Sequence, residues 1–257
     1  MPEDSIDHID FEDLNKRAIS KPLVRHLYTA DPSAHVFNGK IYIYPSHDID
    51  AGEAFDDLGS HFAMEDYHVF SMEDVEGKAK DHGVALHVDD VAWAKQQMWA
   101  PDANEKKGIF YLFFPAKDYE GIFRIGVATS KSPVGPFEAR PHPIQNSFSI
   151  DPAVFKDDDG SYYMYFGGIW GGQLQRWNED NQYTPGECGN ELQDSGIPDG
   201  PAISPRIAKM SNDMISFAED PKPVRIIDKN GNPILTKDHA RRFFEAAWVH
   251  KKDGIYY

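Results

Sequence analysis

The sequence predicts an all-β protein built from hairpins. Aromatic residues make up 13% of the 257 residues, and 18 prolines and 20 glycines supply many turn positions. Four β-branched or aromatic runs each follow directly on a turn dipeptide, which is the pattern of a strand, a tight turn and a second strand. Helix signals are scarce, and residues 89–97 are the main candidate.

The four hairpins share one design. Asn-Gly and Asp-Gly dipeptides readily adopt the positive φ angles of two-residue turns. The turns are Asn38-Gly39, Lys107-Gly108, Asp159-Gly160 and Asp253-Gly254, and the runs that follow them are residues 41–44, 109–114, 162–166 and 255–257.

An acidic residue opens each hairpin, namely Asp31, Asp102, Asp151 and Glu245. The intervals between these acids are irregular, but their mean is close to the length of a four-stranded propeller blade with variable loops. In a propeller the innermost strand of each blade lines the central channel, so the four acids are expected to converge on one axial pocket. The alternative is a β-sandwich in which the acids merely cap or solvate strand ends.

Charge and composition exclude several classes of partner. Lys and Arg number 26 against 42 for Asp and Glu, and the net charge of -16 repels phosphate backbones and anionic lipids. We therefore expect neither nucleic acid nor a membrane as a partner. Because Cys188 is the single cysteine and the first residues lack the pattern of a secretion signal, we expect a cytoplasmic protein. Residues 1–20 are expected to form a flexible or strapped arm without a fold of its own, and residues 21–257 the catalytic domain.

The acids suggest glycosidic bond cleavage. One carboxyl can protonate the leaving oxygen while a second activates water or attacks the anomeric carbon, and a third can tune the acid. Asp31 and Asp151 both precede a proline, which fixes the backbone after the acid. Glu245 lies among apolar residues, which should raise its pKa by desolvation and suit it to act as general acid.

Several motifs together resemble the family-43 glycoside hydrolases, which remove xylose or arabinose from plant polysaccharides. They are Ala30-Asp31-Pro32-Ser33 followed by Tyr42 and Tyr44, Trp99-Ala100-Pro101-Asp102, residues 128–137, and Ile150-Asp151-Pro152 running into Asp159-Gly160. The resemblance implies a five-bladed β-propeller and an inverting mechanism. It also implies Asp31 as general base, Asp151 as pKa modulator and orienter, and Glu245 as general acid.

The sequence departs from this family at the general acid, which is often followed by Gly-Pro, whereas Glu245 is followed by Ala246-Ala247. Glu187 and Glu191 are rivals for the role, but both lie in a Gly- and Asn-rich loop with no aromatic strand after it.

Four further residues are predicted to contact substrate. Trp99 resembles the family's pocket-wall aromatic, although a tryptophan buried between blades is the alternative. Asp102 would lie below it. His47 is placed near the channel mouth, with a structural histidine as its alternative, and Trp170 in a glycine-rich loop is predicted to stack on sugar or simply to pack the loop.

No cofactor is expected for the chemistry, because nucleotide-binding and zinc-binding motifs are absent from the sequence. Asp157-Asp158-Asp159-Gly160 lacks the spacing of a calcium loop and is interpreted as a hydrated turn, so no metal site is predicted. Some family members hold an axial calcium ion through a late histidine, and no residue of this chain is matched to that ligand.

The predicted function is that of an exo-acting β-xylosidase that releases xylose from xylo-oligosaccharides. The alternatives are an α-L-arabinofuranosidase and a sugar-binding propeller without catalysis. Counting the hairpins gives three blades and the start of a fourth against the family's five, so we expect the chain to be truncated within the fourth blade of a longer polypeptide.

Overall fold

The computed structural model describes residues 10–54, 59–185 and 200–257. It shows one α-helix, α1 (Phe11–Arg17), within the arm expected to have no fold. The Asp10 side chain caps α1 by accepting a hydrogen bond of 2.9 Å from the Asp13 N–H. Acidic residues in its first turn and basic residues in its last turn interact favourably with the helix dipole. The cap and these charges explain why a helix forms in a segment expected to have no fold. No helix in the described part of the chain has the length and apolar character to cross a membrane.

The described residues are otherwise organised in antiparallel sheets, so the all-β prediction is confirmed. The first sheet has the order β1 (Thr29–Phe37), β2 (Lys40–His47), β3 (Asp66–Met72) and β4 (Lys80–His87). The second has the order β5 (Ala94–Gln96), β7 (Ile109–Asp118), β8 (Phe123–Ser130) and β9 (Glu138–Ala139), and β6 (Asp102–Lys106) also pairs with β7. The third has the order β10 (Ala153–Lys156), β11 (Tyr162–Phe166), β12 (Arg206–Lys209) and β13 (Lys222–Pro223), and a hairpin joins β14 (Lys251–Lys252) to β15 (Ile255–Tyr256).

All four predicted hairpins form. Asn38-Gly39, Lys107-Gly108 and Asp253-Gly254 are two-residue turns with positive φ at both positions, as in type I′ turns. The third hairpin differs from the prediction, because its last strand pair is Lys156 with Tyr162, which leaves a loop of five residues. Asp157 in that loop accepts hydrogen bonds from Lys251 and Tyr256, so the loop anchors the last hairpin.

Two hydrophobic cores lie on opposite faces of β7. Phe110, Leu112 and Phe114 pack into a core shared with the first sheet. Tyr111 and Phe113, which alternate with them, pack into a core shared with the third sheet. This alternation is the two-residue period of a strand that is buried on both faces. The second sheet therefore lies between the other two.

The predicted helix at residues 89–97 is wrong. One 3-10 turn, Val88–Asp90, is followed by the strand β5, in which Ala94 pairs with Asp118. The buried residues Val88 and Val91 have a helix-like spacing, but pairing with β7 satisfies the backbone of the next residues as a strand. The loop-rich segment that follows Gly172 contains the strands β12 and β13.

Candidate active site

Three of the predicted acids meet at one cavity. Asp31, Asp151 and Glu245 all line a cavity of about 410 Å³. Each is preceded by an apolar residue that also lines it, namely Ala30, Ile150 and Phe244. The same pairing of an apolar residue and an acid before each hairpin therefore brings the three carboxyl groups together.

An unusual backbone conformation presents the acids to the cavity. Asp31 has φ of 46° and Asp151 has φ of 57°, which is the left-handed region that few residues other than glycine adopt. Aspartate is one of the residues that tolerate this region, and the proline after each acid fixes the next φ. Near Asp31 the register with β2 shifts between Ala30 and Ser33. Such an irregularity re-aims a side chain out of the regular strand alternation.

The Glu245 segment is tied to the rest of the cavity by its backbone. The Ala246 N–H donates a hydrogen bond of 3.0 Å to Oδ2 of Asp151. The Ile169 N–H donates one of 2.9 Å to the carbonyl of Phe244. Asp151 thus holds the backbone next to Glu245, and the loop containing Ile169 holds it from the other side.

Desolvation and neighbouring carboxylates raise the pKa of all three carboxyls. For Asp151, burial first and then the charge of Glu245 raise the pKa to about 8. Asp31 and Glu245 are exposed to solvent although they line the cavity, so their desolvation is only partial. Partial desolvation followed by the charge of Asp48 raises the pKa of Asp31, and partial desolvation followed by the charge of Asp31 raises the pKa of Glu245. The raised pKa expected for Glu245 from its apolar neighbours is therefore supported. Three coupled carboxyls of this kind retain at least one proton near neutral pH.

Aromatic residues form the apolar walls of the cavity. Trp99 is 9% exposed, and its Nε1 donates a hydrogen bond of 2.8 Å to the carbonyl of Phe62. Its ring packs on Phe123 at a centroid distance of 4.7 Å. Trp99 is therefore both a core residue and part of the cavity wall, so the two interpretations of its role are compatible. Trp170 is 39% exposed at the cavity and packs edge-on against Phe244.

Glycines let the cavity loops approach closely. A Cβ on Gly168 would lie 2.6 Å from Cδ1 of Ile150 and 3.1 Å from Cβ of Glu245. A Cβ on Gly59 would lie 2.6 Å from Cη2 of Trp99, and its φ of +92° is one that L side chains rarely adopt. Gly172 in the same loop would likewise place a Cβ 2.7 Å from Cδ1 of Ile150, so close packing on Ile150 explains the glycines on both sides of Trp170.

Asp102 does not join the other acids, contrary to prediction. Its carboxylate is buried, lies 2.6 Å from Nε2 of His35 and accepts a hydrogen bond of 2.6 Å from the Val154 N–H. It lines a second cavity, of about 390 Å³, and not the one at Asp31. The reason is register, because Asp102 matches Ser33 when the two hairpins are aligned on their turns. The residue that matches Asp31 is Ala100, and Ala100 does line the active-site cavity.

His47 is also absent from this cavity. Its Nδ1 lies 3.1 Å from both carboxylate oxygens of Asp66, so the structural interpretation of His47 is the one supported. The next residue, Asp48, lines the cavity and raises the pKa of Asp31. Neighbouring side chains at the end of a strand point in opposite directions, which is why one of the two is directed away. The proximity of Asp48 to Asp31 follows from strand pairing and has no local sequence signal. The rivals for the general acid, Glu187 and Glu191, lie outside the described residues.

A family model for the glycosyl hydrolases family 43 matches residues 19–257. The chain belongs to family 43. It is therefore a glycosidase, as the motifs indicate.

Several relatives within family 43 are close. The chain is 54% identical to xylosidase/arabinosidase 43A of Humicola insolens, over 92% of this chain and 73% of that protein. It is 50% identical to the beta-xylosidase of Xylanibacter ruminicola, over 90% of this chain and 70% of that protein. Among solved structures, CoXyl43 from a compost microbial metagenome, a beta-xylosidase/alpha-arabinofuranosidase in complex with xylotriose, is 63% identical with a TM-score of 0.89. That match covers 92% of this chain and 71% of CoXyl43.

The CoXyl43 complex with xylotriose is a calcium-free form. Calcium takes six to eight oxygen ligands. Within residues 10–54, 59–185 and 200–257, the cluster of candidate metal-ligating side chains is His47, Asp66 and His68. Its two imidazoles do not suit calcium, and no step of the reaction is assigned to that ion.

Proposed function

We propose that this family 43 glycosidase is an inverting, exo-acting β-xylosidase that releases xylose from xylo-oligosaccharides. The observation that carries the proposal is the meeting of Asp31, Asp151 and Glu245 at one cavity. Inversion requires one carboxyl to activate water and another to protonate the leaving oxygen from the other side of the sugar. The names of the relatives, and the xylotriose bound to CoXyl43, support xylose as the released sugar.

Asp31 acts as general base in this proposal. Its raised pKa makes its carboxylate a stronger base than an aspartate with an ordinary pKa. It accepts a proton from water as that water attacks the anomeric carbon. For water to fit, the carboxyl groups of Asp31 and Glu245 must be about 6.5–9.5 Å apart.

Glu245 acts as general acid. It must be protonated before the reaction, and partial desolvation at the cavity together with the charge of Asp31 favours its protonated form. It donates its proton to the glycosidic oxygen as the bond to the anomeric carbon breaks. The product sugar leaves with inverted configuration, and the two carboxyls exchange protons with solvent before the next turnover.

Asp151 acts as the positioning residue. Its hydrogen bond to the Ala246 N–H fixes the backbone that carries Glu245, and its own charge state is coupled to that of Glu245. Trp99, Trp170 and Phe244 supply apolar surfaces on which the C–H faces of a sugar can pack. A cavity of about 410 Å³ lies near the small end of ligand sites, which favours a terminal sugar over a long internal segment.

Hydrolysis of two chromogenic substrates tests the proposal. Nitrophenyl β-xyloside should be cleaved with a higher kcat/KM than nitrophenyl α-L-arabinofuranoside, and Asp31→Asn should remove both activities. A higher kcat/KM for the arabinofuranoside would favour the arabinofuranosidase function, which the names of the relatives also support. Binding of xylobiose without turnover of either substrate would favour a sugar-binding propeller.

A five-bladed propeller is the arrangement that we propose for the fold. Three consecutive sheets that share cores, followed by the β14–β15 hairpin, are consistent with blades in chain order. The likeness to CoXyl43 supports the same arrangement. The division of the chain at residue 20 and the cytoplasmic location stay predictions.

A further inference from the structure

Three side chains with metal-ligating atoms lie together on the first sheet, away from the catalytic acids. His47 ends β2, and Asp66 and His68 lie at the start of β3. Because Ser46 pairs with Tyr67, His47 lies beside Asp66, and the two-residue period of β3 puts Asp66 and His68 on the same face. One ligand atom from each residue lies within 4.8 Å of the others.

The spacing between these atoms suits a bound ion. Nδ1 of His47 lies 3.1 Å from each carboxylate oxygen of Asp66, and Nε2 of His68 lies 3.8 Å from Oδ1 of Asp66. A separation of 3.8 Å is too long for a hydrogen bond. Ligands that are each about 2.0–2.2 Å from a tetrahedral zinc ion are roughly 3.3–3.6 Å from one another. The distances from Asp66 to the two histidines are therefore within a few tenths of an ångström of those in a zinc site, and one ligand atom of each residue lies within 4.8 Å of the others.

The far nitrogen of His68 is held as in many metal sites. Its Nδ1 lies 3.0 Å from Oδ1 of Asp81. Asp81 is in turn fixed by the Gly83 N–H at 2.7 Å and by Nε2 of His26 at 2.8 Å. A carboxylate on the outer nitrogen of a ligating histidine sets the tautomer that leaves the inner nitrogen free to bind metal. Among the described residues, Nε2 of His68 has no hydrogen-bond partner of its own.

The donor set selects the class of ion. Two imidazoles and one carboxylate suit zinc and neighbouring transition metals, whereas calcium and magnesium take mainly oxygen ligands. The side chains of His47, Asp66 and His68 are 21%, 11% and 12% exposed, so an ion and its waters can reach them from solvent. The alternative is that the three side chains bind no ion and form only a network of ordinary hydrogen bonds. The experiment must exclude this alternative.

We propose that His47, Asp66 and His68 bind a divalent transition-metal ion of the zinc class, with water in the remaining positions. The ion would tie the end of β2 to the start of β3, one residue before Asp48 at the active-site cavity. Its role is structural, because none of the three ligands lines the cavity at Asp31. The proposal does not depend on which sugar the enzyme releases.

Zinc binding to the metal-free protein tests the proposal. After treatment with EDTA and desalting, Zn²⁺ is titrated by isothermal calorimetry into the unchanged protein and into three variants. His68→Gln should bind one Zn²⁺ fewer than the unchanged protein. Asp81→Asn keeps all three ligands and should bind zinc about 10–100-fold more weakly. His142→Gln, which changes an exposed histidine outside the cluster, is the matched control and should bind as the unchanged protein does.

Cobalt spectra of the unchanged protein provide a measurement that does not depend on a variant folding. Co²⁺ should produce the intense visible absorption of a four- or five-coordinate ion, and added Zn²⁺ should remove it. Only the weak band of hydrated Co²⁺ would overturn the proposal. Equal zinc stoichiometry and affinity in the unchanged protein and in folded His68→Gln would overturn it as well, as would an equal loss in His142→Gln.

Discussion

Replacing Asp151 by Asn should change how the stability of the protein depends on pH. In the folded protein the pKa of Asp151 is raised to about 8 from 3.8, mainly by burial. A carboxyl with a raised folded pKa binds its proton more tightly when folded. Its contribution to stability is therefore complete below about pH 4 and is lost as the pH rises towards about 8.

The size of the effect follows from this window. Each pH unit between the two pKa values costs about 1.4 kcal/mol, so between pH 5 and pH 7 this one group should cost about 3 kcal/mol of unfolding free energy. Asparagine has no such titration. It also tolerates the left-handed φ of 57° at this position, and its carbonyl can accept the hydrogen bond from the Ala246 N–H. The unfolding free energy of Asp151→Asn, relative to that of the unchanged protein, should therefore rise by about 3 kcal/mol from pH 5 to pH 7.

Urea unfolding at pH 5, 6 and 7, followed by tryptophan fluorescence, measures the difference. Asp157→Asn is a suitable control. Hydrogen bonds from Lys251, Tyr256 and the Asp158 N–H lower the pKa of Asp157 to about 2, so its titration lies below the range measured. The stability difference between Asp157→Asn and the unchanged protein should stay constant from pH 5 to pH 7. A constant difference for Asp151→Asn as well, or one that falls as the pH rises, would refute the reasoning.

Three further predictions concern the same site. Glu245→Gln should lose most of its activity on xylobiose but much less on substrates with good leaving groups, because these need no protonation. Steady-state kinetics on both types of substrate measure the two losses, and equal losses would contradict the acid role of Glu245. The rate should fall at low pH as Asp31 gains a proton and at high pH as Glu245 loses its proton. Because the pKa of each group is raised, the apparent pKa of each limb of the kcat/KM profile should lie above that of an ordinary carboxyl group. Ala246 has φ of 58°, so Ala246→Gly should raise the unfolding free energy by up to about 1 kcal/mol, whereas Ala247→Gly should lower it by about 0.5–1 kcal/mol in the same urea assay. Destabilisation by both glycine substitutions would mean that the backbone at Ala246 is not strained.

The Ala246 backbone also explains the departure from the family pattern. The residue after the general acid adopts a left-handed conformation, which glycine reaches freely and alanine reaches at a cost. The family's usual glycine and the alanine found here are therefore compatible with the same geometry. The sequence shows the substitution, but the φ angle that gives it meaning depends on contacts with Asp151 and the loop at Ile169.

Local signals in the sequence predict the hairpins well. Asn-Gly, Lys-Gly and Asp-Gly turns next to aromatic runs determine strand boundaries within a few residues, since the required φ angles suit few other dipeptides. The positions of Asp31, Asp151 and Glu245 follow from the same pattern. The pairing of β5 with β7 could not be predicted, because residues 88–94 mix buried and exposed positions in an order that does not separate a strand from a short helix.

The errors at the site have physical causes as well. Asp102 has the right residue type but stands two positions further along its strand than Asp31 does, and counting back from the turn would have selected Ala100. The sequence does not predict Asp48 at the cavity, because Asp48 reaches it through pairing between strands. The sequence predicts His47 at the cavity, whereas its side chain contacts Asp66 on the first sheet.

The stereochemistry of the product tests most directly whether Asp31 activates water across the sugar from Glu245. Proton NMR of xylobiose hydrolysis in its first minutes distinguishes the anomer that is formed before mutarotation. A base that activates water, with the carboxyl groups about 6.5–9.5 Å apart, predicts that α-xylose appears first from the β-linked substrate. Initial formation of β-xylose would show retention and would mean that the carboxylate attacks the sugar itself, contradicting the mechanism.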